Sequence, residues 1–400
     1  MRSLPLRLGR QAVTRLRNQL SATAFATRAG VRPVPSGGVA LFFATGPENA
    51  YQFEQWRRPL ERLAERHPVF VVVDRPETGD LVLQTSSLPV TLARGSAALE
   101  QLVREEDVRV VLYCNQVEPN FRMLRFAAPV HIQIGHGESD KASSVSNQHK
   151  AYDLVYVGGE AGRQRLGSAL RGFDAEHRTA LIGRPQLDHD YPGAPDWAPG
   201  TGRRVFYAPT WEGDRPSIAY GSLASHGVAL VEALLRDPDV RVIYRPHPRT
   251  GAASASHAAA DRQIRRLLEA EGGRHLVDRG SYGWQWDFAD VCITDISALA
   301  YDWLATAKPL VVTEPVEPLA LRPPSLLLDS LVLLRADDAG DILGRLDDLA
   351  GSGPAASEPA GAGPAGPGVA ELARHYFGDT AGGASSRRFE QAIAAAIARP

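Results

Sequence analysis

The stretch GVALFFATGPENAYQFEQWRRPLERLAERHPVFVVVD, residues 38–74, decides the fold. It opens on an unbroken apolar run, GVALFFATG (38–46), passes through the amphipathic YQFEQWRRPLERLAERH (51–67), and closes on PVFVVVD (68–74). Successive side chains of a strand point to opposite faces, so an apolar run without alternation needs cover on both. Strand, amphipathic helix and a second doubly buried strand make the repeating unit of a doubly wound α/β sheet.

The rhythm continues outward. SAALEQLVREEDV (96–108) reads as a helix, and RVVLYCN (109–115), PVHIQIGHG (129–137), YDLVYVGG (152–159) and TALIGRP (179–185) extend the strand series. A Pro/Gly/Asp-rich text, QLDHDYPGAPDWAPGTG (186–202), then reads as a linker. A second series follows, with strands at RRVFYAPTW (203–211), VRVIYRPHP (240–248), RHLVD (274–278), DVCITDI (290–296) and PLVVTEP (309–315). Helices are expected over 224–236, 258–271, 297–307 and 386–398. Residues 351–369, 15 of 19 being Gly, Pro or Ala, read as a flexible insertion. With 400 residues, at roughly 100–200 per domain, two domains are expected. They are Rossmann-like, 37–190 and 200–350, facing a cleft, with a C-terminal helical segment over 370–400.

Forty-four basic and 46 acidic residues hide an asymmetry. Residues 1–47 hold seven arginines and no acid, leaving 37 basic against 46 acidic residues in the rest. An acidic body is not built for nucleic acid. The basic arm, residues 1–36, has no apolar stretch near 18 residues and so no span. On a helix Leu6, Val13, Leu16 and Leu20 share one side, with Arg7, Arg10, Arg15 and Arg17 largely elsewhere. This is the pattern of an interfacial helix on an anionic membrane surface, or of a plain docking helix. Two cysteines, Cys114 and Cys292, lie in apolar runs and make neither a disulfide framework nor a cysteine zinc site.

Four polar clusters fall at the C-terminal ends of expected strands, where ligands bind in this architecture. In GHGESDK (135–141), glycines flank His136, whose imidazole titrates near neutrality and can take a proton from a hydroxyl. In YRPHPRTG (244–251), prolines bracket His247, and Arg245 and Arg249 alternate with it toward an anion. ITDISALAYDW (293–303) runs from strand into helix. It brings Thr294, Asp295 and Ser297 to a helix start, where N–H groups bind phosphate, with Asp302 further in. APTWEGD (208–214) adds Thr210 and Trp211. Each has a plainer structural counterpart: a turn histidine, a proline-stiffened turn, helix capping or packing under the cleft. Metal-ligand spacings, the dinucleotide fingerprint and the P-loop are missing, which disfavours NAD enzymes and NTPases.

YAPTW (207–211), RPHP (245–248) and ADVCITDISALAYDWLATAKPLV (289–311) resemble the CDP-glycerol glycerophosphotransferases, the teichoic acid primases and polymerases. HGESDK (136–141) is similar to their HG-T-P-x-K segment, GRPQLD (183–188) to their G-x-P-R-x-D turn, and FGDTAGGASSRRFEQAI (377–393) to their D-G-x-A-S-x-R helix start. The pattern departs at Thr294-Asp295-Ile296-Ser297-Ala298, where the family has T-D-Y-S-S, and at Glu138-Ser139. The resemblance implies a GT-B fold and a transferase moving an alditol phosphate from a CDP-alditol to a hydroxyl of a lipid-linked glycan, with CMP leaving and without metal or cofactor. His136 would be the base, and His247 and Arg245 would meet the diphosphate. Ser297, Thr294, Asp295 and Thr210 would line the phosphate site, and Asp302 would orient it through its helix. A cytoplasmic place, peripheral on the inner membrane face, goes with such an acceptor. A nucleotide-sugar glycosyltransferase, a sugar-nucleotide epimerase and an inactive binding homologue are the other readings.

Overall fold

The computed structural model describes residues 23–25, 34–141, 144–197, 202–280, 283–320, 322–351 and 368–399. Two parallel sheets carry the fold. The first has the order β3-β2-β1-β4-β5-β6-β7, from Val90–Leu92 (β3), Val69–Val73 (β2), Val39–Phe43 (β1), Val110–Tyr113 (β4), Val130–Gln133 (β5), Leu154–Val157 (β6) and Thr179–Leu181 (β7). The second has the order β10-β9-β8-β11-β12, from Leu276–Val277 (β10), Val240–Tyr244 (β9), Arg203–Ala208 (β8), Val291–Thr294 (β11) and Leu310–Val312 (β12). All pairings of the named strands are parallel, with β1 in register Val39↔Val69 and Val39↔Val110. Strand order reverses direction between β1 and β4, and again between β8 and β11, and a ligand crevice opens at such points.

The strands are shorter than the apolar runs because the runs continue into the loops at the ligand edge. Doubly buried strands explain the composition. Val39, Leu41 and Phe43 enter one core with Val69, Val71 and Val73, while Ala40 and Phe42 enter the opposite core with Phe70 and Val72. In the second sheet Val205 and Tyr207 face one core, and Phe206 and Ala208 the other. Both cysteines are buried and unbridged.

A helix Pro76–Thr85 and the strand β3, absent from the sequence expectation, complete the first sheet's edge. Helices Glu160–Ala169 and Ile342–Gly351 were likewise not expected, whereas Val369–Phe377 falls in the C-terminal segment expected to be helical.

The C-terminal segment is not a separate appendage. Tyr376 and Phe377 of the Val369–Phe377 helix pack in the second domain's core. Phe389 and Ile393 of the Ala384–Ile397 helix return to the first domain. Two weak motifs meet where it lands. The Ser386 N–H donates to Asp188 (2.6 Å), and the Arg184 N–H donates to Ser385 Oγ (3.0 Å).

The proposed membrane helix of the arm and most of the flexible insertion lie outside the described residues. Among the arm's described residues, Phe25 is 2 % exposed and belongs to the first domain's core.

Candidate active site

A cleft of about 780 Å³ lies between the two sheets and is lined from both domains. His136, Ser297, Asp302, Thr210, Arg245 and His247 all line it, so six of the eight expected site residues are brought together.

His136 stands on the loop after β5. Gly135 has φ +61°, the left-handed region that glycine tolerates, and the Trp56 indole donates to its carbonyl (2.5 Å). Gly137, the other flanking glycine, is required by a close approach. A Cβ would lie 2.6 Å from the Ala298 Cβ, so the loop abuts the start of the Ala298–Leu304 helix across the cleft. His136 Nδ1 lies 3.1 Å from the Cys114 carbonyl. A carbonyl only accepts, so Nδ1 carries the proton and Nε2 keeps its lone pair. Burial lowers the pKa, with the nearby Arg184 guanidinium acting the same way, and the ring is therefore neutral and basic at neutral pH.

His247, on the loop after β9, has the opposite arrangement. The Arg249 N–H donates to its Nδ1 (3.1 Å), so Nε2 bears the hydrogen. Burial, Lys141, Arg249 and His136 together pull its pKa down to about 3. Trp211 stacks on it, with centroids 6.3 Å apart, and carries Arg249 on its ring at 3.7 Å. Trp211 thus lines the cleft rather than packing beneath it. Between the two histidines stands Tyr51, edge-on to His136 at 6.1 Å and to His247 at 5.5 Å. No motif marked Tyr51, because it sits on an ordinary amphipathic helix.

Four of the expected binding residues have other occupations. Thr294 is fully buried, and its hydroxyl donates to the Ala208 carbonyl (2.7 Å), tying β11 to β8 rather than meeting phosphate. Asp295 is also fully buried. Its carboxylate accepts from the Thr210 N–H (2.7 Å), the Ser222 N–H (3.3 Å) and the Thr313 hydroxyl (2.6 Å), so it shapes the Thr210 loop. Arg245 lines the cleft with its guanidinium held by Asp278 (2.6 Å) and by the Gly280 carbonyl (3.1 Å). Asp302, 1 % exposed, works through Arg184 rather than through its helix. It accepts from Arg184 Nε (2.8 Å) and Nη2 (2.9 Å), and the same Nη2 reaches the His136 carbonyl (3.3 Å). This buried ion pair joins the second domain to the His136 loop of the first. Arg184 lies in the turn GRPQLD, where the quoted motif already pointed.

Two further residues come from HGESDK. Glu138 is wholly engaged, taking the Gly158 N–H (2.9 Å) and Arg165 (2.5 Å), while Arg165 also holds Asp140 (2.6 Å). Lys141 lines the cleft with its ammonium 5.0 Å from the Tyr220 ring, and burial lowers its pKa to about 8. It is a cation at neutral pH, beside His247. Ser297 caps the Ala298–Leu304 helix by position with no side-chain capping bond, leaving its hydroxyl to Thr294 at 3.3 Å and to the cleft.

Residues 133–315 match the family CDP-glycerol:poly(glycerophosphate) glycerophosphotransferase. No curated protein sequence matches the chain. Among solved structures, the wall teichoic acid polymerase TagF superposes with TM-score 0.59 at 14% identity, over 98% of this chain and 97% of that one. The UDP-GlcNAc 2-epimerase of Neisseria meningitidis, bound to UDP-GlcNAc, gives TM-score 0.55 at 12% identity, over 89% and 99%. At such identities the structures show a shared two-domain fold, GT-B in kind. The matched segment spans β5 to β12 and holds all eight expected site residues. Over residues 133–315, and no further, this chain is similar to the CDP-glycerol:poly(glycerophosphate) glycerophosphotransferases.

Proposed function

We propose that the chain transfers an alditol phosphate, glycerol phosphate before others, from a CDP-alditol to a hydroxyl of a surface-glycan acceptor. The observation that carries the reading is the pair of neutral histidines with opposite hydrogen-bond polarity on facing loops, flanked by Lys141. The acceptor hydroxyl gives its proton to His136 Nε2 as its oxygen bonds to the donor's β-phosphorus. The bond from that phosphorus to the bridging oxygen breaks, and CMP leaves with the electron pair. His247 Nε2–H donates to a diphosphate oxygen, and Lys141, Ser297 and the partly neutralised Arg245 offset the rest of the charge. Phosphoryl transfer needs such in-line positioning and charge stabilisation more than covalent help. The reading assigns no role to a metal ion or cofactor.

The assay offers CDP-glycerol, CDP-ribitol and UDP-sugars in turn, with CMP release expected from the first. UDP release alone would overturn the proposal. The second reading, a sugar-nucleotide epimerase, is favoured by the epimerase neighbours of comparable TM-score. Conversion of a UDP-sugar to its isomer without acceptor would select it.

We place the protein at the inner membrane face through its basic arm. None of the helices among the described residues is long and apolar enough to cross a membrane. Removing residues 1–22, which leaves the core residue Phe25, is expected to abolish co-sedimentation with anionic vesicles. Unchanged sedimentation would remove the claim.

A further inference from the structure

The cleft's first-domain wall differs chemically from the rest. Where Lys141 of the His136 loop and Arg245 and His247 of the second domain face a diphosphate, the remainder of this wall presents amides: Gln52, Gln55, Asn115, Gln116 and Gln133. Asn115 and Gln133 are 3 % and 2 % exposed, and stand at the ends of the adjacent strands β4 and β5, where Tyr113 pairs with Gln133. Asn115 Oδ1 and Gln133 Oε1 are buried and have no hydrogen-bond partner among the described residues. Buried amide oxygens left unpaired are rare, because each has given up water for nothing.

The row is also oriented. Asn115 Nδ2 donates to Gln52 Oε1 (3.0 Å), and Gln52 Nε2 to the Tyr51 hydroxyl (3.3 Å). It therefore ends at the ring between the two histidines. Of the other charged groups that line the cleft from this domain, Arg165 and Glu138 neutralise each other, and Glu54 is paired with Arg57. Val155, Val157 and Leu166 line the same wall.

We infer that this wall is a subsite for an uncharged glycosyl end group, the residue of the acceptor that presents its hydroxyl to His136. Amide oxygens accept from sugar hydroxyls, and the three aliphatic side chains suit the C–H face of a ring. A phosphate would meet carbonyl oxygens and be repelled. The inference rests on the transferase reading and names its acceptor: a neutral sugar terminus rather than a glycerophosphate unit.

The test is saturation-transfer NMR on the full chain, with methyl glycosides of hexoses and N-acetylhexosamines, glycerol 3-phosphate, and CDP as separate probes. A methyl glycoside should bind, and Asn115→Leu or Gln133→Leu should each weaken it about tenfold, the scale of a lost hydrogen bond with its partner left buried. CDP, the probe of the other wall, should bind as before, with an unchanged circular dichroism spectrum. If leucine does not pack, alanine at either position gives the same comparison. Glycosides that fail to bind, glycoside binding indifferent to both substitutions, or glycerol 3-phosphate binding lost in those variants would each overturn the assignment. Since no donor turnover is read, failure of the donor assay leaves this result separately readable.

Discussion

The two histidine loops occupy equivalent places, each following the C-terminal end of a strand in its own sheet, yet they are wired in opposite senses. The His136 loop is fastened from its own domain by Trp56 and by Arg184, itself held from across the cleft by Asp302, and its imidazole presents a lone pair. The His247 loop is fastened locally by prolines and its own Arg249 N–H, and its imidazole presents a hydrogen. A carbonyl on one ring and an amide on the other suffice to leave one imidazole an acceptor toward the cleft and the other a donor. Identical side chains thus acquire different chemistry from a single backbone group each.

The sharpest way to break this comparison is His136→Ala. Loss of a general base should lower kcat by about 10²–10⁴ in a CMP-release assay. Full turnover would reverse the assignment of roles. Asp302→Ala strikes the fastening instead of the ring. It strands a buried Arg184 guanidinium, and breaking such a pair is expected to destabilise the fold by about 3–5 kcal/mol in urea titration. An unaltered midpoint would mean that the interdomain pair carries no weight. His247→Ala removes a hydrogen-bond donor rather than a base, and should cost about 10²–10³ in kcat. The same His136 pH limb should remain in that variant.

The pH profile separates the loops further. His136 must be neutral, and burial lowers its pKa, so activity should fall only below about pH 6.5. Lys141 must be charged, so activity should decline as pH rises through about 8, and Lys141→Arg should remove that upper limb. For stability the sign follows from His247. The unfolded ring takes a proton near about 6.5 and the folded one only at about 3, so its contribution is present above 6.5 and is lost as the pH falls toward 3. The smallest expected effect is that of EDTA, which should leave the CMP-release rate unchanged. A loss restored by a divalent cation would bring a metal into the site.

Much of this was legible in the residues. Unbroken apolar runs such as VFVVV marked strands covered on both faces, and glycine or proline around a histidine marked the loops at their ends. The pattern failed where no periodicity exists. β3, three residues long, carries no readable signal, and Tyr51 and the amides look like any polar side of a helix or strand end. Thr294 and Asp295 show the limit from the other side: residue types suited to phosphate were drawn into binding their own backbone and neighbours.

What the sequence determined by itself was the class of fold, the two-domain division and the list of chemically capable groups, because strand burial and loop composition are local consequences of residue order. Tertiary structure decided which of those groups face the cleft, which are consumed inside, and which tautomer each histidine holds. Those depend on partners distant in sequence, 118 residues apart for Arg184 and Asp302. No local pattern encodes which carboxylate will be spent on an arginine and which left to solvent.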